Sequence, residues 1–478
     1  MAFGELSQLT ESEKKHLTND EIVRGVRLGC HTFILGRATV KSLSENGKAT
    51  VLTEGVKRDF TLAPTFKYLG VAVDVGTTTL AARLILPSGE VLAETGASNP
   101  QALYGADVIS RIEASLSGNQ SSLAGVIRQA IDSLITSLCK SAKRSPTEID
   151  GAVITGNTVM LYLLTETSPE PLSHAPFSLS RPFGEALTAK ELLLSSLSPE
   201  TEIYLPPCIS AFIGADTVCA ILASDLCAKG DTELYETSSY AVDNAKAPLA
   251  ENKTALLADI GTNGEMALWH GGKLYVCSTA AGPAFEGVGI SMGMRGENGA
   301  IDKVSLVNGK LEANVIGGGI PKGICGSGLV DAVAALLDSE ELDETGYLED
   351  DEVTLLSPVT LTAKDIRMVQ LAKSAISAGL STLLHEAGTD EAHVSVLYIA
   401  GGFGNYLNKR SAGRIGLLPQ KLIDKTENIG NAALIGAETL LLDKESRIFA
   451  EKLSIDALAV ELSTNKYFSD AFISGMMF

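Results

Sequence analysis

The hydrophobic pattern of this chain contains the same unit twice. In residues 67–98, and again from Thr254, an apolar run ends at an acid, and a Gly-Thr turn and a second apolar run follow. A Gly-bearing turn then leads into a third apolar run, so each copy predicts three short strands joined by tight turns. The two acids, Asp74 and Asp259, are 185 positions apart. An internal repeat of this kind predicts two similar halves.

Apolar runs and helix-like periodicity alternate through the rest of the chain. The longest helices are predicted at 119–141 and 364–387. The shorter predicted elements are a strand and a helix within 150–164, a strand and a helix within 202–229, a helix beginning near Cys325, a strand at 394–400 and a helix at 429–443. Strands that alternate with helices predict the α/β class. Two repeated halves of this class predict two domains with a cleft between them.

Some segments follow neither pattern. Residues 1–24 are charged and are predicted to be helical, and a β-rich piece with Gly turns continues to about Phe66, so a small N-terminal α+β module is expected. A proline-punctuated loop is predicted at 168–186. Residues 230–252 are polar, acidic and weakly patterned, which predicts an exposed linker or insertion. The predicted divisions are 1–35, a small β module or linker at 36–66, a first half at 67–252 and a second half at 253–478.

Composition narrows the class of partner. The 478 residues carry a formal net charge of −20, which argues against nucleic acid or anionic membrane because either would need a basic patch. No apolar run approaches the roughly 20 residues that a membrane span requires. The polar N-terminus does not resemble a secretory signal, and the seven Cys are scattered, so they are predicted to be reduced and mostly buried in a cytoplasmic protein.

The repeated turns carry candidate chemistry. A carboxylate at a strand end, such as Asp74 or Asp259, can hold Mg²⁺, and the metal can neutralise phosphate oxygens. Glycine lets the backbone approach closely, and N–H groups and hydroxyls of such a turn can bond phosphate. The candidate phosphate-binding residues are Gly76, Thr77, Thr78, Gly261, Thr262 and Asn263. The alternative for either copy alone is an ordinary tight β-turn. No Walker A loop is present, and a strand rather than a helix follows GTNGE, which excludes a Rossmann fingerprint.

A second Gly-rich loop follows the apolar strand at 394–400. Gly401, Gly402 and Gly404 of GGFG could let a nucleobase or ribose lie against the backbone, although such strand-to-helix turns are common. In chain order, DVGTTT, GADTVCAILASD, ADIGTNGE, YIAGGFG and GNAALIGAETLL then resemble the motifs of the actin, sugar kinase and heat-shock-chaperone ATPase superfamily. The resemblance covers 67–445 and is specific through the order of its motifs.

The superfamily resemblance implies two RNase-H-like ATPase domains with ATP and Mg in the cleft between them. It also implies two connecting helices that cross closely on small residues, which here are Gly214, Ala215, Ala220 and Ala223 in one and Gly430, Ala432, Ala433, Gly436 and Ala437 in the other. By this resemblance Asp216 positions or deprotonates the nucleophile, and Asp74, Asp216 and Asp259 form the catalytic set. A helix N-cap is the alternative role for Asp216.

A narrower resemblance exists to the reductive activators of corrinoid proteins. It rests on NPQALYGADVISRI, TGNTVMLYLL, FIGADTV, AGPAFEG, GICGSGLVDAV and IAGGFGNYLN. It implies an ATPase that binds a corrinoid protein and supports reduction of Co(II) to Co(I) with electrons from an iron–sulfur domain. The alternatives are a small-molecule kinase of the same superfamily and a non-catalytic nucleotide-dependent scaffold. The expected partners are a corrinoid protein and an electron-donating ferredoxin or reductase, with a homodimer left open.

The chain departs from this family where the cluster is expected. A plant-type 2Fe–2S domain needs C-x₄-C-x₂-C and a distant fourth Cys, and no such group of three is present. RLGC nevertheless matches the segment of the fourth ligand, so Cys30 would be an orphan ligand and 1–35 the tail of a ferredoxin-like domain. Either the chain is truncated, which the retained tail favours, or it is a natural variant served by a separate electron donor. No iron–sulfur cluster is predicted in this chain.

The remaining candidates rest on single residues. Glu265 follows GTN and could face a γ-phosphate, or it could be a strand-surface residue. Cys277 and Cys325 are predicted to be inert core thiols rather than redox groups. Asn157 and Arg111 could line the cleft. The six His show no metal-ligand spacing.

Overall fold

The computed structural model describes residues 2–10, 14, 22–27, 32–40, 53–55, 62–224, 226–227 and 253–478. The chain divides into two compact units, residues 1–50 and 51–478. The whole predicted insertion at 230–252 and the predicted orphan ligand Cys30 lie outside the described residues.

The first unit contains a two-stranded antiparallel sheet. Strand β1 (Ala2–Leu6) pairs with strand β2 (Ile34–Val40). The prediction of a helix throughout 1–24 is therefore wrong at its beginning. Gly4 has a φ of 120°, which only glycine adopts readily, and a Cβ there would lie 2.7 Å from the Cα of Ala38. The charged part of that prediction lies largely outside the described residues.

The first lobe of the larger unit is built on one mixed sheet in the order β5-β4-β3-β6-β8-β7. Its strands are β3 (Leu69–Val75), β4 (Thr79–Ile85), β5 (Val91–Ser98), β6 (Ile149–Gly156), β7 (Glu185–Thr188) and β8 (Glu202–Leu205). Its helices are α1 (Val108–Ala114), α2 (Gln120–Ala142), α3 (Thr158–Leu164) and α4 (Ala215–Ala223). The first three strands are antiparallel, and β6 and β8 continue the sheet in parallel.

The second lobe repeats this arrangement in the order β18-β17-β9-β10-β11-β19. The strands of this sheet are β9 (Thr254–Ile260), β10 (Gly264–His270), β11 (Lys273–Thr279), β17 (Val394–Ala400), β18 (Thr426–Gly430) and β19 (Leu458–Ala459). The smaller sheets contain β12 (Ala300–Val307), β13 (Lys310–Val315), β14 (Gly323–Ile324), β15 (Glu352–Leu356) and β16 (Val359–Thr362). The helices in this part of the chain are α5 (Gly326–Asp338), α6 (Ala363–Glu386), α7 (Lys409–Arg414), α8 (Ala432–Leu442), α9 (Lys444–Asp456) and α10 (Lys466–Ser474). Of these, α8 packs against β3, β4 and β6 of the first sheet.

The predicted repeat is confirmed at the level of topology. In each lobe three antiparallel strands are followed by two parallel strands on the side of the first strand. β3 and β9 have the same burial pattern, in which every residue is buried except the acid before the last position. Asp74 and Asp259 therefore lie at equivalent strand ends of two RNase-H-like lobes.

Helices α4 and α8 pack against each other between the lobes and contribute to a core that also contains residues of both sheets. The close approach is possible because α8 carries glycine at position 436. A Cβ at Gly436 would lie 2.5 Å from the Cα of Cys219 and closer still to its carbonyl group. The predicted crossing of two helices on small residues is confirmed.

The differences from prediction lie at element ends and in the second lobe. Helix α4 ends at Ala223, earlier than predicted, because Ser224 takes an extended backbone with ψ of 165°. The helix predicted from position 429 begins only at Ala432, since Thr426–Gly430 forms strand β18. No helix in the described part of the chain is long and apolar enough to cross a membrane.

Candidate nucleotide site

The two repeated acids lie at the cleft between the lobes, each next to a residue from the C-terminal part of the chain. Asn431 Nδ2 donates a hydrogen bond of 3.2 Å to Asp74 Oδ2, and the Asn431 side chain also caps α8. Gly401 follows β17, which pairs with β9, and its φ is 92°. A Cβ at Gly401 would lie 2.6 Å from Asp259 Oδ1. Glycine is therefore required there for the strand-end carboxylate to keep its position.

Two further carboxylates join these acids electrostatically. Burial and then the neighbouring Asp216 raise the pKa of Asp74 to about 7, and the same two causes raise the pKa of Asp259 to about 7. Burial raises the pKa of Asp216 to about 6. Glu265 lies directly opposite Asp259 in the β9–β10 pair, and burial followed by Asp216 and Asp259 raises its pKa well above the usual value. Four carboxylates thus repel one another in one region.

This donor set fits a magnesium ion. Mg²⁺ prefers carboxylate oxygens and usually keeps several waters, so one or two protein carboxylates suffice. None of the four carboxylates forms an ion pair with a residue that the structure describes. A complete protein cage of three or more His, Cys, Asp or Glu is also absent from the described residues. The arrangement suits a cation shared with phosphate oxygens rather than an all-protein metal site.

Asp216 does not act as a helix N-cap. Gly214 occupies that position without a side-chain bond, and Asp216 accepts a hydrogen bond of 2.8 Å from the N–H of Thr217. A Cβ at Gly214 would lie 2.6 Å from the backbone nitrogen of Thr158, so glycine lets α4 begin against α3. The alternative prediction, that Asp216 is the N-cap of α4, is therefore wrong. Its carboxylate belongs to the group of acids that includes Asp259 and Glu265.

The first predicted phosphate loop, Gly76 to Thr78, is held in place by a buried cation. Arg111 is fully buried and donates to the carbonyl oxygen of Thr77 at 2.7 Å and to that of Gly105 at 2.9 Å. Burial lowers the pKa of Arg111 to about 10, which leaves it charged at neutral pH. Asn157, the N-cap of α3, donates to Thr77 Oγ1 at 3.0 Å. Both residues that were expected to line the cleft therefore hold Thr77 in place, and Asn157 also lines a cavity of the cleft.

The second loop lies across the cleft from the first. Asn263 lines a small cavity of about 10 Å³ together with Asn157 and Phe212 from the first lobe. The N–H of Gly261 donates to the carbonyl oxygen of Asn263 at 3.1 Å, which closes the turn between β9 and β10. In the first loop, a Cβ at Gly76 would lie 2.7 Å from the carbonyl oxygen of Thr79.

One carboxylate that the sequence reasoning missed connects the two loops. Glu286 Oε2 accepts a hydrogen bond of 2.6 Å from the hydroxyl of Thr78, and Glu286 Oε1 accepts one of 2.6 Å from the hydroxyl of Thr262. Glu286 is half-buried at the end of the 3₁₀ turn Ala284–Glu286. Glu286 lies in AGPAFEG, one of the segments that carry the family resemblance, but a single acid in this loop has no periodicity or spacing that assigns it a role.

The GGFG loop packs against that same turn. The ring of Phe403 stacks on the ring of Phe285 with centroids 4.9 Å apart. No atom lies within 4 Å of a Cβ built at Gly402, whereas a Cβ at Gly404 would press on the side chain of Ile399. The loop is therefore packed on one side and open at Gly402. The six described cysteines, including Cys277 and Cys325, are buried thiols as predicted.

Two RNase-H-like lobes with acidic strand ends on a shared cleft define the actin and sugar kinase fold class. Residues 253–478 match the family model described as the C-terminal domain of RACo, the ASKHA domain, and 69–229 match the one described as the RACo middle region. A solved structure titled reductive activator for corrinoid, iron-sulfur protein has a TM-score of 0.74 and 32% identity, covering 87% of this chain and 67% of that one.

Curated relatives agree with the structural comparison. The chain is 33% identical to the corrinoid activation enzyme RamQ of Eubacterium limosum, over 86% of this chain and 70% of the relative. It is 25% identical to the Co(II) methylated amine-specific corrinoid protein reductase of Methanosarcina barkeri, over 84% of this chain and 76% of the relative. This chain belongs to the family of reductive activators of corrinoid proteins.

Proposed function

We propose that this protein is an ATP-dependent activator that supports reduction of a corrinoid protein from Co(II) to Co(I). The observation that carries the proposal is the convergence of the two acid–Gly–Thr loops, whose threonines are bridged across one cleft by Glu286. The family of the chain supplies the class of partner. Its relatives are named for corrinoid activation and for reduction of a Co(II) corrinoid protein.

The proposed nucleotide site uses residues of both lobes. Asp74 and Asp259 would hold Mg²⁺, which when bound would neutralise phosphate charge. The backbone N–H groups of the Gly-Thr turns and the hydroxyls of Thr78 and Thr262 would bond phosphate oxygens. Gly402, with open space beside it, would let the nucleoside lie on the loop after β17.

Asp216 is the proposed proton acceptor for the attacking water. A pKa of about 6 keeps its carboxylate mostly ionised at neutral pH and still basic enough to take a proton. ATP and water would be converted to ADP and phosphate, and the change in phosphate contacts would alter the closure of the lobes. The corrinoid protein would be held differently before and after that change.

The electron would come from a reduced iron–sulfur protein or domain. One electron passes from the reduced cluster to Co(II), which becomes Co(I), and the cluster is left oxidised. Binding of the nucleotide and its hydrolysis would supply the conformational work that makes this transfer favourable.

The test is an absorbance assay with purified components. Co(II) corrinoid protein, reduced ferredoxin and Mg–ATP are mixed with this protein, and formation of Co(I) is followed. Co(I) should appear with ATP and should be lost when ATP or Mg²⁺ is omitted, or when Asp259→Asn replaces the wild type. Absence of an ATP-dependent Co(I) signal with every ferredoxin tried would refute the proposal.

A parallel measurement separates an activator from a small-molecule kinase. An activator hydrolyses ATP with no added acceptor, and the corrinoid protein should change the rate. A kinase would instead require a stoichiometric acceptor, and phosphate would appear on that acceptor rather than in solution.

A further inference from the structure

Glu286 occupies the centre of the proposed phosphate site. Its two carboxylate oxygens accept one hydroxyl each, from Thr78 in the first lobe and from Thr262 in the second, both at 2.6 Å. An ionised carboxylate accepts hydrogen bonds but cannot donate them, so each threonine donates its single hydroxyl hydrogen to Glu286. Hydroxyl-to-carboxylate bonds of this length are charge-assisted and among the stronger hydrogen bonds in proteins.

The turn that carries Glu286 is fixed from several directions. The N–H of Gly282 donates to the carbonyl oxygen of Thr262 at 2.9 Å, which ties the approach to this turn to the second phosphate loop. Phe285 stacks on Phe403 of the GGFG loop. Gly287 ends the turn with a φ of 77°, and a Cβ there would lie 2.6 Å from the carbonyl oxygen of Met294. The carboxylate is thus held by its surroundings between the two threonines.

A phosphate group and this carboxylate need the same donors. Each threonine hydroxyl has one hydrogen to donate, so it cannot bond Glu286 and a phosphate oxygen at full strength together. Two anions that share a half-buried space also repel each other. A nucleotide whose phosphates reach Thr78 and Thr262 must therefore move Glu286 aside.

We infer that Glu286 is a positioning residue of the phosphate site, one that competes with the terminal phosphates for the Thr78 and Thr262 hydroxyls. The inference rests on the proposed function, since it assumes that a nucleoside polyphosphate enters this cleft. Without phosphate, Glu286 holds the two loops at a fixed separation. When phosphate binds, the Glu286 side chain is released from both threonines. The turn that carries Glu286 and Phe285 can then move against the GGFG loop.

The test compares nucleotides that differ only in their phosphates. Affinities for ATP, ADP and adenosine are measured calorimetrically with the wild type, Glu286→Gln and Glu286→Ala. Both variants should bind ATP about tenfold more tightly, because the competing charge is gone, while adenosine affinity should change less than twofold. Glu286→Gln keeps the size of the side chain, so it remains informative if the alanine variant folds poorly.

Two controls separate competition from a general loosening of the cleft. Ser98→Ala removes another hydrogen bond between the lobes, donated by Arg295 at 2.9 Å, while every side chain of the phosphate loops stays in place. This variant should leave ATP affinity unchanged. In a Thr78→Val background, one contested hydroxyl is gone, so the gain from Glu286→Gln should shrink to about threefold.

Each outcome is decisive. Unchanged ATP affinity in the Glu286 variants, or an equal gain for adenosine and ATP, overturns the inference while leaving the proposed function in place. A wild-type protein that binds no nucleotide overturns both. A gain confined to ATP and ADP, and reduced in the Thr78→Val background, supports competition at the two hydroxyls.

Discussion

Replacing Gly436 by alanine tests the close crossing of α4 and α8. The added Cβ would lie 2.5 Å from the Cα of Cys219, and the neighbouring atoms are backbone, which cannot turn away as a flexible side chain could. The two helices must therefore separate within the core that they share with both lobes. Overpacking of this kind costs about 1–3 kcal/mol, and a rigid backbone neighbour places the cost near the upper end.

The same substitution has an opposing local effect. Glycine in a helix interior is about 1 kcal/mol less favourable than alanine, so the propensity gain offsets part of the overpacking. The net expectation for Gly436→Ala is a loss of about 2 kcal/mol in the free energy of unfolding. Gly125 in α2 provides a matched control, since it is exposed and no atom lies within 4 Å of its Cβ position. Gly125→Ala should stabilise the protein by about 1 kcal/mol.

The assay is denaturant unfolding followed by circular dichroism, with midpoint and slope recorded for each protein. The midpoints should move in opposite directions, with Gly436→Ala below the wild type and Gly125→Ala above it. If Gly436→Ala were as stable as Gly125→Ala, the helices would not cross as closely as described. The close contact of Gly436 with the Cys219 backbone would then be refuted.

Three further predictions concern charged groups. Because the pKa values of Asp74 and Asp259 are raised to about 7 from 3.8, protonation stabilises the metal-free fold; stability from these groups should fall as pH rises from 4 through 7. The double variant Asp74→Asn, Asp259→Asn should therefore have a higher thermal midpoint than the wild type at pH 8 in EDTA, and an unchanged midpoint at pH 4. An equal effect at both pH values would contradict this prediction. Glu438→Ala removes the nearest ionic partner of the buried Arg83, which lies 2.8 Å away. The free energy of unfolding, measured by chemical denaturation, should fall by about 3 kcal/mol. A loss below about 1 kcal/mol would show that this ion pair contributes little. Arg111→Met removes the support under the first phosphate loop and should weaken ATP binding about tenfold in calorimetry, with a stability loss of about 1–3 kcal/mol; unchanged ATP affinity would show that the loop needs no such support.

The repeated hairpins and the long helices were predictable because their signals are local. Strand β3 is a continuous apolar run and helix α2 carries a helical periodicity, and a short window of sequence contains either signal. The β12–β13 hairpin also has such a signal, Asn308-Gly309 with both φ values positive, which the sequence reasoning overlooked. These elements follow from the neighbouring residues alone.

The candidate site was predictable from the repeat and from the order of the motifs along the chain. Asp74 and Asp259 end equivalent strands, so their meeting followed from the duplication of the unit. Glu286 and the support of Thr77 by Arg111 depend on which loops the folded chain brings together, and no spacing encodes that. The sequence thus indicated the acids and the glycines but not the group that links them.

The position of Asn431 gives the crossing of α4 and α8 a further consequence. Asn431 begins α8 and donates to Asp74, and Gly436, where the helices touch, lies five residues later. Five residues of helix span about 7.5 Å, so a rotation of about 8° around that point would move Asn431 by about 1 Å. Where this displacement lengthens the bond from Asn431 to Asp74, now 3.2 Å, the bond breaks. A small tilt of α8 against β3, on which it packs, would therefore change the hydrogen bonding of one carboxylate of the cleft, and hence its affinity for protons and cations.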